Sequence, residues 1–415
     1  MSGAPVAGPL AGLTVLDLSS VVLGPMCGQY LGDMGADVIK VEPPAGDITR
    51  GIGVRRSARM GSLFLSNNRN KRSVVLDLKR ADGLAAVLRL ARRSDVLLHS
   101  MRSNAAQRLG ISYESLAVVN PGIVYCQVTG FGDDGPYGGL PAYDDIIQAL
   151  SGMAMLQTVV AGEPRYFPSA IADKVTAVHA AYAIAGALLH RERTGKGQHV
   201  VVPMMETMVA FNLQEHLGGA AFEPVLDRMG YPPYRQAVRR PFKTRDGYLC
   251  VLPYTDVHWR NFLMIFGRAD LADDPDYVTV AGRQRNLERV FAAVQAVLAD
   301  RTSMQCQALL EGSDIPHAPI NDLEDLLDDP HLVGIGFWKE LGDIEGPVRL
   351  PGVPIRMSAS PPGIRRLPPR LGEHTVEVLR EYGFDETEIH RIIGSTPAGA
   401  DRPDDLSIAA GHHVE

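Results

Sequence analysis

The strongest constraint in this sequence is the regular alternation of short apolar stretches with helix-like segments in its first half. LTVLDLS at 13–19 precedes a helical segment that starts after Gly24-Pro25, and ADVIKVE at 36–42 comes next. This order is typical of a β-α-β unit. The alternation continues through SVVLDLK at 73–79, GLAAVLRLARRS at 83–94, DVLLHS at 95–100 and GIVYCQVTG at 122–130. Strands rich in Val, Ile and Leu that are joined by helices predict an α/β fold with a parallel sheet covered on both faces.

The rest of the chain predicts a second, smaller domain. A long helix from about 172 to 193 ends just before Gly195, and HVVVPM at 199–204 is typical of a further strand. From about 223 the sequence turns rich in proline and arginine, which indicates a boundary. The expected division is a doubly wound, Rossmann-like large domain over 1–222, a small α+β domain over 223–330, and a crossover with a C-terminal return to the large domain over 331–415.

Composition excludes several classes of protein. A chain of 415 residues exceeds what one compact core usually holds, which supports two domains. A net charge of −7 offers no general attraction for phosphate backbones or anionic lipid, so we expect neither a nucleic-acid nor a membrane partner. No apolar run reaches the roughly 18 residues that cross a bilayer, and a secretory signal pattern is absent, which predicts a cytoplasmic location.

The residues that usually bind metals are scattered. Cys27, Cys126, Cys250 and Cys306 form no C-x-x-C pair, and no H-E-x-x-H motif occurs among the twelve histidines. We therefore expect no metal site and reduced cysteines.

Three glycines follow the first strand at intervals of four residues. Gly24, Gly28 and Gly32 match neither G-x-G-x-x-G nor the P-loop pattern, so a nicotinamide dehydrogenase is disfavoured. They lie one turn apart on a helix that begins at Pro25, and this spacing favours close packing of the helix on the sheet. The G-x-S-x-G motif of serine hydrolases is also absent.

Asp173 has two alternative interpretations, one structural and one catalytic. It stands at the start of the long helix, where the helix dipole favours a negative charge, and residue chemistry alone favours that structural role. The functional alternative is a carboxylate kept ionised by the helix end and able to attack an acyl carbonyl.

An ordered set of motifs resembles the family III CoA-transferases, the group that contains formyl-CoA transferase and carnitine CoA-transferase. The resemblance runs from Leu10 to about Ile393. It rests on PLAGLTVLDLS, GP at 24–25, LGDMGADVIKVEPPAGDITRG at 31–51, NRNKRSVVLDLK at 68–79, RERTGKGQHVVV at 191–202, IPHAPI at 315–320 and LPPRLGEHTVEVLREYGF at 367–384.

This resemblance implies an enzyme whose substrates are an acyl-CoA and a carboxylic acid, with no tightly bound cofactor. It implies that Asp173 is the nucleophile and passes through a mixed anhydride and an aspartyl-CoA thioester. It also implies a homodimer of ring-shaped, interlocked subunits. The implied CoA-binding residues are Leu76, Lys79, Ser100, Arg108 and Tyr143.

Three departures from the family pattern bear on the substrate. Val22 and Leu23 stand where formyl-CoA transferase has a polar contact to the acyl group, and Pro43 replaces an arginine beside the adenine. The run of glycines that shields the intermediate is replaced by GYPPYRQAVRR at 230–240. The three arginines of this segment are either surface residues or ligands for a second carboxylate of the acceptor acid. They are Arg235, Arg239 and Arg240.

Two other functions remain open at this stage. An α-methylacyl-CoA racemase needs two opposed acid-base groups, and Tyr143 stands where racemases have a histidine, so half of that pair is absent. A non-catalytic acyl-CoA-binding protein would keep the fold without the chemistry, and the presence of Asp173 disfavours it.

Overall fold

The protein is described from a computed structural model that covers residues 8–235, 239–342 and 346–394. Its main sheet contains six parallel strands in the order β3-β2-β1-β4-β5-β6. These strands are β1 (Thr14–Asp17), β2 (Asp37–Glu42), β3 (Lys71–Val75), β4 (Val96–His99), β5 (Val124–Thr129) and β6 (Gln198–Pro203). This is the order of the doubly wound dinucleotide-binding folds, so the parallel sheet predicted from the sequence is confirmed.

The remaining strands form two small sheets. An antiparallel sheet has the order β7-β8-β9, and β10 lies next to β11 in a two-stranded sheet. Their bounds are β7 (Phe242–Lys243), β8 (Tyr248–Val251), β9 (His317–Pro319), β10 (Trp338–Leu341) and β11 (Val348–Pro351).

Helices occur throughout the chain. In the first half they are α1 (Leu23–Asp33), α2 (Ser62–Asn67), α3 (Ala81–Ala91), α4 (Ser103–Arg108), α5 (Tyr113–Val119), α6 (Asp144–Leu150), α7 (Met153–Leu156), α8 (Thr158–Ala161), α9 (Ile171–Thr194) and α10 (Met204–His216). In the second half they are α11 (Pro232–Arg235), α12 (Asp256–Ile265), α13 (Pro275–Val278), α14 (Val280–Arg285), α15 (Leu287–Ala299), α16 (Ser303–Leu310), α17 (Asp325–Asp328), α18 (Pro330–Gly334), α19 (Thr375–Glu381) and α20 (Glu386–Gly394). The long predicted helix is α9.

The chain divides into two compact units. Over the described residues, the first contains 8–142, 173–204, 340–342 and 346–394, and the second contains 143–172, 205–235 and 239–339. The domain boundaries expected from the sequence remain predictions.

Each unit has its own apolar core. In the first, buried residues of the strands pack with α3 and with Val378 and Leu379 of α19, so the C-terminal helices complete this core. In the second, Leu249 and Val251 of β8 pack against Phe262 on α12 and against α15. The central strands of the main sheet are buried along almost their whole length, as expected for parallel strands covered on both faces.

Candidate active site

The carboxyl ends of β1 and β4 mark the point where the strand order reverses. Ligands of doubly wound folds bind outside the carboxyl ends of the strands at this position. The Ser20 backbone N–H donates to Ser100 Oγ across a distance of 3.4 Å, so the segments that follow β1 and β4 meet there. Ser100 is exposed and follows β4 directly, which puts this predicted CoA-binding residue at the reversal point.

The turn after β4 is shaped by a buried histidine. His99 Nδ1 accepts a 3.1 Å hydrogen bond from the Met101 N–H. Burial, together with the nearby His199, lowers the pKa of His99 to about 3, so its ring is neutral at physiological pH. His99 is therefore a structural support for the turn that presents Ser100.

Asp173 lies in the first turn of α9 and is half-buried. Near the other end of this helix, Arg191 Nη1 is 2.9 Å from Asp95 Oδ1, and Asp95 precedes β4 at the amino edge of the sheet. Because α9 has 24 residues, it is about 36 Å long, whereas a six-residue strand spans about 20 Å. A crossover helix that leads into a parallel strand runs antiparallel to that strand, and α9 leads into β6, so we expect the first turn of α9 toward the carboxyl side of the sheet, where Ser100 lies.

Three other predicted CoA-binding residues belong to the same compact unit. Leu76 is buried directly after β3, and Lys79 is exposed in the following turn, where its backbone N–H donates to Asp77 Oδ1 at 3.0 Å. Arg108 is exposed at the end of α4. Leu76 and Lys79 follow the carboxyl end of β3, so they share this edge of the sheet with Ser100.

Tyr143 differs from the other four predicted residues because it belongs to the second compact unit. It directly precedes α6 and is 71% exposed. A role for Tyr143 in CoA binding stays a prediction.

A buried ionic cluster beneath the reversal point was missed in the sequence. It consists of Asp17, Lys40, Asp47 and Lys71, all of them less than 5% exposed. Lys40 Nζ lies 3.0 Å from Asp47 Oδ2, and Lys71 Nζ lies 2.9 Å from Asp17 Oδ2. The available signal was a charged residue within or at the end of an apolar strand, as in VLD and VIKVE, because such a residue cannot reach water from a covered sheet.

The charges of this cluster are balanced within the protein. Burial raises the pKa of Asp17, but the charges of Lys71 and Lys40 and a hydrogen bond from Ser19 outweigh it, so the pKa is lowered. Burial lowers the pKa of Lys40, and the surrounding carboxylates more than reverse this. For Lys71 burial prevails and lowers the pKa to about 8. At neutral pH the cluster thus holds two cations and two carboxylates.

The glycines of α1 let the helix pack closely against this cluster and the residues beside it. A Cβ on Gly28 would lie 2.9 Å from Asp17 Oδ2 and 3.2 Å from Lys71 Nζ, and one on Gly24 would overlap the Ser19 Cβ. A Cβ on Gly32 would lie 3.0 Å from the Asn70 Cβ. The interpretation of these glycines as sites of close helix packing is confirmed.

Comparison with known proteins identifies the family. The model of CoA-transferase family III matches residues 10–375. The chain belongs to CoA-transferase family III. As a family III enzyme it moves CoA between carboxylic acids, and the resemblance inferred from the motifs is confirmed.

The curated relatives of this CoA-transferase cover nearly the whole chain. A succinate–glutarate CoA-transferase from Agrobacterium fabrum is 35% identical over 389 residues, which are 90% of this chain and 95% of the relative. A succinyl-CoA:glutarate CoA-transferase from Mus musculus is 33% identical and covers 93% of this chain and 89% of its own. A formyl-CoA:oxalate CoA-transferase from Escherichia coli O157:H7 is 30% identical, and the match covers 92% of this chain and 97% of the relative.

Solved structures share the fold. A CAIB/BAIF family protein from Brucella suis has a TM-score of 0.77 and 32% identity, covering 91% of this chain and 100% of that one. A mutant of Rv3272 from Mycobacterium tuberculosis has a TM-score of 0.79 and 29% identity, with 90% and 99% covered.

The three arginines considered as carboxylate ligands lie in the second unit of the transferase. Arg235 Nη2 is 3.0 Å from Asp227 Oδ2, whereas the Arg239 guanidinium lies 5.3 Å from the ring centroid of Tyr234. Arg240 is exposed. Residues 236–238, which belong to the segment that replaces the shielding glycines, lie outside the described residues.

Two further features concern metals and membranes. Within residues 8–235, 239–342 and 346–394, no group of three or more His, Cys, Asp and Glu side chains is arranged to hold a metal ion. Over the same ranges no helix combines the length and the apolar character that crossing a bilayer requires.

Proposed function

We propose that the transferase works through a covalent intermediate on Asp173. Its carboxylate attacks the thioester carbonyl of the donor acyl-CoA, the C–S bond breaks, and CoA leaves as a thiolate. The product is a mixed anhydride between the donor acyl group and Asp173. The thiolate then attacks the aspartyl carbonyl, which releases the donor as a free carboxylate and leaves an aspartyl-CoA thioester.

The acceptor acid reverses this sequence. Its carboxylate attacks the aspartyl carbonyl and expels the thiolate again, forming a second mixed anhydride. The thiolate attacks the acceptor's carbonyl, so acceptor acyl-CoA leaves and Asp173 returns to the carboxylate. Each step exchanges one activated acyl bond for another, so ATP is not required.

The position of Asp173 carries this proposal. An acid in the first turn of α9 is stabilised as an anion by the helix N-terminus, and on the carboxyl side of the sheet, where we expect this turn, it can meet a ligand held at the strand ends. Lys79 and Arg108 are exposed cations in the same unit and suit the phosphates of CoA. A racemase is disfavoured because the similar curated proteins named above are transferases.

A trapping experiment tests the nucleophile. After incubation with an acyl-CoA and then hydroxylamine, we expect mass spectrometry to find a hydroxamate on the peptide that carries Asp173. Asp173→Ala should lower the exchange rate by on the order of a thousandfold or more. Asp256→Ala is the matched control, because Asp256 is also a first-turn acid, on α12. A wild-type enzyme that exchanges CoA but never forms the hydroxamate would exclude the covalent route.

We further propose that the acceptor is a dicarboxylic acid. Succinate, glutarate and oxalate appear in the names of the relatives, and all of them carry a second carboxylate. Arg239 and Arg240 are exposed in the second unit, and an arginine binds a carboxylate through two parallel hydrogen bonds.

A panel of acids tests this substrate class. We expect kcat/KM to be higher for succinate and glutarate than for butyrate, and Arg239→Gln or Arg240→Gln to raise KM for the dicarboxylates alone. Arg245→Gln is the control because Arg245 is another exposed arginine of the same unit. A preference for butyrate that survives in all variants would refute the proposal.

The assembly that we propose is a homodimer of interlocked rings. Its support is an apolar stripe on α9 formed by Val178, Tyr182 and Leu189, which are 51%, 63% and 52% exposed. Their spacing places them on one helix face, and exposed stripes of this kind mark interaction surfaces.

The cytoplasmic location expected from the sequence also remains a prediction.

A further inference from the structure

The segment that connects β1 to α1 contains a strained residue. Val21 has a φ of +71°, in the left-handed region that branched side chains rarely adopt. Such a conformation persists only where surrounding contacts enforce it, and these residues cluster at functional sites. Val21 lies next to Ser20, whose N–H donates to Ser100 Oγ at the reversal point of the sheet.

Buried charges hold the backbone that leads into this residue. Lys40 Nζ donates a 3.0 Å hydrogen bond to the Ser19 carbonyl, and the Val21 N–H donates to Asp47 Oδ1 at 3.4 Å. The two side chains are paired with each other, and they are 0% and 1% exposed. One ion pair therefore restrains two backbone groups of the same short turn.

The side chain of Asp47 is itself fixed. Its Oδ1 also accepts hydrogen bonds from the Thr49 N–H at 3.0 Å and the Thr49 hydroxyl at 2.8 Å. Burial raises the pKa of Asp47, but Lys40 and Thr49 outweigh it and lower the pKa, so the side chain is ionised at neutral pH. A buried ion pair often contributes little net stability, so the hydrogen bonds that this pair makes to the turn are the contacts that point to a role.

We propose that the Lys40–Asp47 pair positions the β1–α1 turn, holding Val21 in its left-handed conformation so that the turn is preformed for acyl-CoA. Neither residue touches the ligand in this role. The inference rests on the proposed binding of acyl-CoA at the carboxyl edge of the sheet. If the turn relaxes, only a fraction of the molecules is competent to bind, and the observed Kd rises in inverse proportion to that fraction.

Calorimetric titration with CoA tests the inference. Asp47→Asn should raise the Kd about tenfold if the competent fraction falls to about a tenth. Asp33→Asn is the matched control, because Asp33 is equally buried and pairs with Arg69 at 2.7 Å toward the end of α1. It should lower thermal stability and leave the Kd within about twofold of the wild type.

Val21→Gly provides the decisive second measurement. Glycine adopts positive φ without strain, so the turn should need the ion pair less. In the Val21→Gly background, Asp47→Asn should change the Kd by no more than about threefold. If Asp47→Asn folds poorly, Lys40→Met/Asp47→Asn removes both charges together. This double variant should show the same rise in the Kd for CoA, and Val21→Gly should reduce that rise to the same extent.

Three outcomes would overturn the inference or its basis. An unchanged Kd in Asp47→Asn would exclude a positioning role. If Asp47→Asn weakened CoA binding equally with valine and with glycine at position 21, Asp47 would not act through the turn. A wild-type protein that binds no CoA would refute the proposed ligand placement, which is a different failure from the other two.

Discussion

At the scale of single residues, Gly28 shows how closely α1 approaches the buried ionic cluster. A Cβ at this position would lie 2.9 Å from Asp17 Oδ2, in a site with no room to expand. We expect Gly28→Ala to lower the free energy of unfolding by roughly 1–3 kcal/mol, as overpacked cores do. Gly334→Ala on α18 is the control, because nothing lies within 4 Å of its added Cβ. Urea denaturation measures the free energy of unfolding of both variants. An equal value for Gly28→Ala and Gly334→Ala would show that Gly28 is not closely packed.

The buried carboxylates also predict how stability depends on pH. The pKa values of Asp17, Glu42 and Asp47 are lowered in the folded state, because neighbouring cations and hydrogen bonds outweigh the effect of burial. Below about pH 4.5 the unfolded chain therefore binds more protons at these sites than the folded protein does, so stability is lost as the pH falls. Asp33 acts in the opposite direction, since burial raises its pKa.

Urea denaturation between pH 7 and pH 3 measures this dependence. Lys40→Met/Asp47→Asn should show a shallower loss of stability because one of the three carboxylates is gone. A stability that stays constant down to pH 3 would contradict the charge assignment.

At the scale of elements, Arg72 on β3 connects the sheet to the C-terminal helix α19. Its side chain is 6% exposed and lies within 3.0 Å of the carboxylates of Glu377 and Glu381, and it also pairs with Asp37. We expect Arg72→Met to cost roughly 1–3 kcal/mol and to speed amide exchange in α19, because three carboxylates lose their partner.

A surface ion pair of the same helix is the control for this prediction. Arg380 pairs with Glu386 at 2.6 Å, but both side chains are more than half exposed. Arg380→Met should therefore change stability by less than about 1 kcal/mol. If the two variants were equally stable, the connection through Arg72 would not hold α19 in place.

At the scale of the whole molecule, the apolar stripe of α9 predicts the behaviour of the proposed homodimer. Interlocked subunits cannot separate without unfolding, so dilution should yield no folded monomer in analytical ultracentrifugation. Tyr182→Arg on the stripe should lower the yield of dimer, because a buried unpaired charge is costly. Val118→Arg is the control, since Val118 on α5 is 81% exposed and lies outside the stripe. A reversible equilibrium between folded monomer and dimer would argue against interlocking.

The sequence alone was sufficient for the parallel sheet, the long helix and the family. The alternation of apolar strands with helices indicates which short segments are buried, and this is enough to predict each element. Ordered motifs such as RERTGKGQ identify the family without coordinates. It also placed Ser100 and Asp173 near element ends, because a strand or helix boundary is a local property. Their assignments as CoA-binding residue and nucleophile remain predictions.

Only the tertiary structure showed the ionic cluster and the restraint on Val21. Lys40 and Asp47 belong to one segment of the chain, but Asp17 and Lys71 come from separate strands, and the register of the sheet decides that their side chains meet. A positive φ at a valine contradicts its local preference and exists because distant buried charges hold the backbone. Local pattern therefore determined the elements of this transferase, whereas contacts between strands far apart in sequence decided the conformation of the turn at its candidate site.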